Sequence, residues 1–141
     1  MGRRRSFSEA DVISIAANTF LRTGYGGTSI DDLVEATGIH RGSLYKAFGS
    51  KRGLFILALE QGLEGSESGF GARALDLALV ALLELAPRDA EVRDRVAAFI
   101  TTLADDPDRI LGLRLLSRAG IAIHPPGIKK GQESNERPSD R

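Results

Sequence analysis

Apolar residues recur at helical spacing from Phe7 to Leu116, with caps and breakers between the runs. Ser8-Glu9-Ala10-Asp11 is a capping-box-like start, and Phe7 ahead of it can staple onto Val12. Ile13, Ala16, Ala17, Phe20 and Leu21 continue this first helix until Gly24, Gly26 and Gly27 stop it. A second helix is predicted from Thr28, with Asp31 at the capping-box position and Ile30, Leu33 and Val34 facing inward. Gly38 breaks it, since glycine readily takes the positive φ that a sharp turn needs. A third helix runs from about His40 to Phe48, with Leu44 and Phe48 inward. Gly49-Ser50 ends it, and Ser50 caps a fourth whose apolar face is Leu54, Phe55, Ala58 and Leu59.

From Gly62 to Gly71 the composition turns to Gly, Ser and Glu, which predicts a loop. Ala72–Ala86 is apolar nearly all round and reads as a central core helix ended by Pro87. Asp89 caps the next helix, with the stripe Val92, Val96, Phe99 and Leu103. Asp106-Pro107 opens the last, which should bury Ile110, Leu111, Leu115 and Leu116 and stop at Gly120. From His124 on the chain is polar and rich in Pro, Gly and charge, so residues 124–141 are expected to be a disordered tail. No strand pattern or internal repeat occurs. The fold class is all-α: a three-helix N-terminal head (residues 1–53), a short helical body (54–123) and the tail.

The 141 residues suffice for one domain with a hydrophobic core. Cysteine is absent, which excludes disulfides and thiol catalysis and fits a cytoplasmic location. Met-Gly-Arg-Arg-Arg is followed by no apolar segment, so no secretory signal is expected. The longest apolar run is broken by Asp76 and Glu84, and no membrane span is expected. Net charge is zero, but its distribution is uneven. Residues 1–53 hold eight Lys/Arg against five Asp/Glu, and the remainder holds eleven against fourteen. A basic head on an acidic body suits contact with nucleic acid. Two histidines, His40 and His124, give no nucleophile–base pair or metal cluster, so neither an enzyme nor a cofactor or metal site is expected. Asp31, Asp32, Asp105 and Asp106 lie at helix starts, where capping explains them.

Thr28 to Lys51 reads as two short helices around a tight turn and the start of a third. With Phe20 and Gly24 before it, this stretch resembles the DNA-binding domain of the tetracycline-repressor (TetR) family. The markers are Thr28-Ser29-Ile30, Gly38-Ile39, Gly42-Ser43-Leu44-Tyr45, Phe48 and Ser50-Lys51, and the match covers about residues 8–60. The resemblance implies a helix-turn-helix regulator of transcription, a repressor, that binds double-stranded DNA as a homodimer. It also assigns Tyr45 and Lys51 to the DNA backbone. The residue chemistry supports this. Ser43 and Tyr45 lie near the start of a short helix, where hydroxyls and free amides meet phosphates. Lys51 sits unfavourably in the first turn of its helix, a cost that a phosphate relieves. His40 and Arg41 open the recognition helix, and arginine is the commonest reader of guanine. Gly42 permits close backbone approach, Lys46 projects toward phosphate, and Thr28 or Ser29 can reach the flanking strand. Arg3-Arg4-Arg5 suits a minor-groove arm.

The sequence departs from the family in three places. Gly53 stands where a helix-favouring residue is common, so helix four is expected to fray at its start. Ala47 replaces a histidine or aromatic. The body is shorter than the family's. An apolar effector pocket, if built, should involve Phe55, Leu59, Leu75, Leu79, Leu82, Phe99, Leu103 and Leu111; the competing reading of the same residues is plain core packing. A dimer would use either Leu77, Val80 and Ala81 or Leu113 and Leu116. The alternative function is a helical ligand- or partner-binding module without DNA binding.

Overall fold

The computed structural model describes residues 8–64, 71–103 and 106–123. The arm Arg3–Arg5, Phe7, most of the 62–71 loop, Asp105 and the tail with His124 lie outside them. Seven α-helices and one π-helical turn make up the regular structure among the described residues: α1 (Glu9–Thr23), α2 (Ile30–Thr37), α3 (Arg41–Phe48), α4 (Lys51–Glu64), α5 (Ala72–Val80), the π turn (Ala81–Leu85), α6 (Ala90–Ile100) and α7 (Pro107–Arg118). The expected all-α class holds.

The local signals explain most boundaries. Ser8 and Asp11 exchange hydrogen bonds in a complete capping box ahead of α1. Asp89 accepts from the Val92 amide at 3.3 Å, and Asp106 from the Arg109 amide at 3.3 Å with Pro107 following it. The second helix starts one residue later than expected. Ser29 is its cap, paired with Asp32 rather than Asp31, and the Asp32 carboxylate accepts from both the Ser29 amide and hydroxyl at 2.7 Å.

α4 forms from Lys51 onward despite Gly53, contrary to the expected fraying. Ser50 accepts from the Gly53 amide at 2.9 Å, and a Cβ on Gly53 would lie 2.3 Å from the Phe48 carbonyl oxygen. Glycine is therefore the residue this tight α3–α4 junction admits.

The long apolar helix is two pieces. α5 is regular, and its last turn widens into the π turn that carries Leu82, Leu83 and Glu84. α5 packs against α1, α4 and α7, which accounts for its apolar circumference. Leu77, Ala81 and Val80 are all buried, which removes them as a dimer surface. Val92, Val96, Phe99 and Leu103 form the inner stripe of α6 and its end, as expected. α7 differs: it buries no residue fully. Ile110 and Leu111 are half-buried on the core, but Leu115 is exposed and Leu116 only half-buried, because α7 packs through one face onto α5.

One continuous core joins head and body, from Val12, Phe20, Leu33 and Leu44 through Phe55 and Leu59 to Leu77, Val92 and Phe99. Ion pairs cross the same junction. Arg52 of α4 donates to Asp89 at 2.6 and 3.0 Å and to Glu91 at 2.7 Å. Arg95 pairs with Glu60, and Arg73 donates to the Ser14 carbonyl at 2.9 Å.

Candidate nucleic-acid interface

α2 and α3 meet around the left-handed Gly38 (φ 69°) and form the turn of a helix-turn-helix. Leu44 is the buried anchor of α3 and Phe48 is half-buried. His40, Arg41, Gly42, Ser43, Tyr45, Lys46 and Ala47 are exposed, so α3 offers most of its circumference outward. Tyr45 is 43% exposed, which sets aside a core role for its ring. His40 is the N-cap of α3 and makes no side-chain bond to the first-turn amides. No atom lies within 4 Å of a Cβ built on Gly42, so the backbone there is open to close approach.

Two expected contact residues are engaged within the fold. Arg41 forms an ion pair with Asp31 across the helix-turn-helix, both side chains being more than half exposed. Lys51 folds back onto the α1–α2 turn. Its Nζ donates to the Tyr25 carbonyl at 3.1 Å and the Thr28 carbonyl at 3.0 Å and stands 4.3 Å above the Tyr25 ring. Two of its three donors are thereby used, which holds the ammonium at the head's surface despite the unfavourable end of α4.

Thr28 is a correction. It is 1% exposed, and its hydroxyl donates to the Gly24 carbonyl at 2.6 Å and pairs with Thr23 at 2.7 Å. Its side chain secures the α1–α2 turn and does not face outward. Ser29 remains exposed, with its hydroxyl committed to the cap. The hydrogen bonds from Ser29 hold the Asp32 carboxyl below its ordinary range.

The eight residues named for an effector pocket are core. Phe55, Leu59, Leu75, Phe99 and Leu103 belong to one buried cluster, with Leu82 and Leu111 partly buried against it. Leu79 is also buried. An apolar ligand would have to displace these side chains.

Four residues absent from the expected site position the head: Tyr25, Arg52, Glu84 and Arg118. Tyr25 stacks on Phe20 (centroids 5.8 Å apart) and meets Phe55 edge-on (5.3 Å); burial of its ring raises the phenol pKa. Arg52 bridges α4 to Asp89 and Glu91. Glu84 accepts from the amides of Tyr25 (3.1 Å) and Gly26 (2.7 Å), and Arg118 donates to the Leu21 carbonyl at 2.9 Å. The available signals were an aromatic among glycines and a carboxylate in an apolar run.

These features define the class: a helix-turn-helix head with an exposed recognition helix on an α-helical body. Residues 12–58 match the model of bacterial regulatory proteins of the tetR family. The chain is 44% identical over 68 residues to YezE, an uncharacterized HTH-type transcriptional regulator of Bacillus subtilis, covering 48% of this chain and 35% of that protein. It is 40% identical over 60 residues to each of two HTH-type transcriptional repressors of Escherichia coli, BdcR and ComR. Those matches cover 43% of this chain and 30% and 29% of the relatives. The matched segment thus spans about a third of each relative. No solved structure gives a significant match. Among the described residues no helix is long and apolar enough to cross a membrane, and no His/Asp/Glu group could hold a metal ion.

Proposed function

We propose that this chain is a sequence-specific, DNA-binding regulator of transcription, acting as a repressor in the cytoplasm and binding a two-fold operator as a homodimer. The observation that carries the reading is α3. It is anchored by Leu44 and leaves Arg41, Gly42, Ser43, Tyr45 and Lys46 exposed, while Lys51, at the start of the next helix, holds its ammonium against the Thr28 carbonyl of the α1–α2 turn. In this reading Arg41 leaves Asp31 to reach a guanine edge, while Tyr45, Lys46, Lys51 and the uncapped amides of α3 meet phosphates. The repressor names of BdcR and ComR support the sense of regulation. A small-molecule effector would act by opening the packed layer of α5, α6 and α7. The dimer is supported by the outward side of α7, where Leu113 (44% exposed) and Leu115 (41%) flank an open Gly112.

Selection from a random duplex pool, followed by anisotropy titration at two salt concentrations, tests the reading. The expected result is enrichment of a palindrome with half-sites about 34–36 Å apart or a multiple of that. An unenriched pool overturns it.

A further inference from the structure

The turn between α1 and α2 is held from two sides by charge. Its amides face the Glu84 carboxylate at 3.1 and 2.7 Å, and its carbonyls face the Lys51 ammonium at 3.1 and 3.0 Å. The glycines of the turn make room for the carboxylate. A Cβ on Gly24 would lie 2.6 Å from Glu84 Oε1, and one on Gly26 3.3 Å from Oε2. Successive amides in such a turn make an anion-binding concavity, here filled by the body's own side chain. Glu84 stands on the π turn, a conformation that is rare and often found where function demands it.

We propose that Glu84 is a positioning residue for DNA recognition. It touches no DNA. Its carboxylate fixes the Tyr25–Gly26 amides, and the same turn presents its carbonyls to Lys51, the first residue of α4 after α3 ends. The body thereby sets the angle at which α2 and α3 meet the groove. This inference rests on the DNA-binding reading above. A loosened turn leaves every phosphate-binding group in place, so it costs affinity for the operator, where both heads must be in register, more than affinity for arbitrary duplex.

The test compares the parent protein with Glu84→Gln and Glu84→Ala on the selected operator and on an unrelated duplex of equal length, alongside thermal unfolding. Glu84→Gln keeps the side chain's size and turns an amide group toward the turn's own N–H groups. It should lower the ratio of specific to non-specific affinity about tenfold, the scale of a charge-assisted hydrogen bond. Non-specific affinity should stay within about twofold, since the phosphate contacts remain. Gly26→Ala should lower the same ratio in the parent and add nothing in Glu84→Ala. An unchanged ratio, a uniform fall in both affinities that tracks a fall in Tm, or additive effects of Gly26→Ala and Glu84→Ala would each overturn the inference. A parent protein that prefers no duplex overturns the DNA-binding reading itself, and this inference with it.

Discussion

At the scale of single residues, like charges have been given different work. Arg41 is held by one exposed carboxylate, Asp31, whereas Lys51 is tied to two backbone carbonyls of the turn. An exposed pair is worth little, so Arg41 is free to exchange Asp31 for a base. Arg41→Ala should therefore leave Tm nearly unchanged and relax preference at one base pair, by about 1–3 kcal/mol. Lys51→Ala should weaken binding to all duplexes alike, lower the salt slope by about one and also lower Tm, because the turn loses its internal cation. Anisotropy at several salt concentrations with matched melting curves separates the two; a Lys51→Ala protein with unchanged Tm would contradict the second role. Arg52 is a third case, wholly engaged in the head–body junction. The Arg52 guanidinium beside Asp89 holds its carboxyl at about 2, below the ordinary 3.8. A depressed carboxyl means that the unfolded chain binds more protons across that interval. The stability it contributes is present above about pH 4 and is lost as pH falls toward about 2. Asp89→Asn, which retains a good N-cap residue, should flatten the fall of the urea midpoint over that interval, and a variant as steep as the parent would refute the assignment.

At the scale of elements, the α3–α4 junction opposes intrinsic propensity to packing. Propensity alone makes Gly53→Ala stabilising by about 1 kcal/mol. The 2.3 Å approach of the added Cβ to the Phe48 carbonyl makes it destabilising instead, with a cost of about 1–3 kcal/mol typical of overpacking. A urea titration gives the sign directly, and a rise in the midpoint would show that the junction can relax. Such approaches are invisible in sequence, which is why Gly53 reads there as a weak point. What was legible depended on periodic side chains: the stripes of α1 and α6, the Asp89 and Asp106 caps, and the inward Leu44. The start of α2 was not, since Thr28 and Ser29 are both good caps with an aspartate three residues on, and only the inward hydrogen bonds of Thr28 break the tie. The π turn was likewise hidden, because its residues are as apolar as the rest of that helix. For the candidate interface, the exposed positions of α3 could be read from the chain. The engagement of Lys51 by the turn could not, since it pairs residues more than twenty apart.

At the scale of the whole molecule, reading two half-sites needs two heads, and a two-fold pair needs a self-complementary surface. The face of α5 named for this purpose is consumed by the core. The outward side of α7 is available: Gly112, Leu113, Leu115 and Leu116 lie on it, and Ile121 and Ile123 continue the apolar surface past its end. α7 has 12 residues, a length of about 18 Å. Two such helices crossing at a glycine bury less than the roughly 1,200–2,000 Å² of a standard stable interface. The dimer should therefore dissociate in the micromolar range when free and be held together by the operator. Leu113→Glu with Leu116→Glu places like charges across the two-fold axis at positions outside the core, so the monomer fold should persist. Sedimentation should show the parent passing from dimer to monomer on dilution and the double variant monomeric throughout. Operator affinity of the variant should fall at least a hundredfold toward its non-specific value, since one head alone contributes only a few base contacts. A variant that sediments and binds operator like the parent would move the interface elsewhere. A parent protein that remains monomeric on palindromic DNA would remove the dimer altogether.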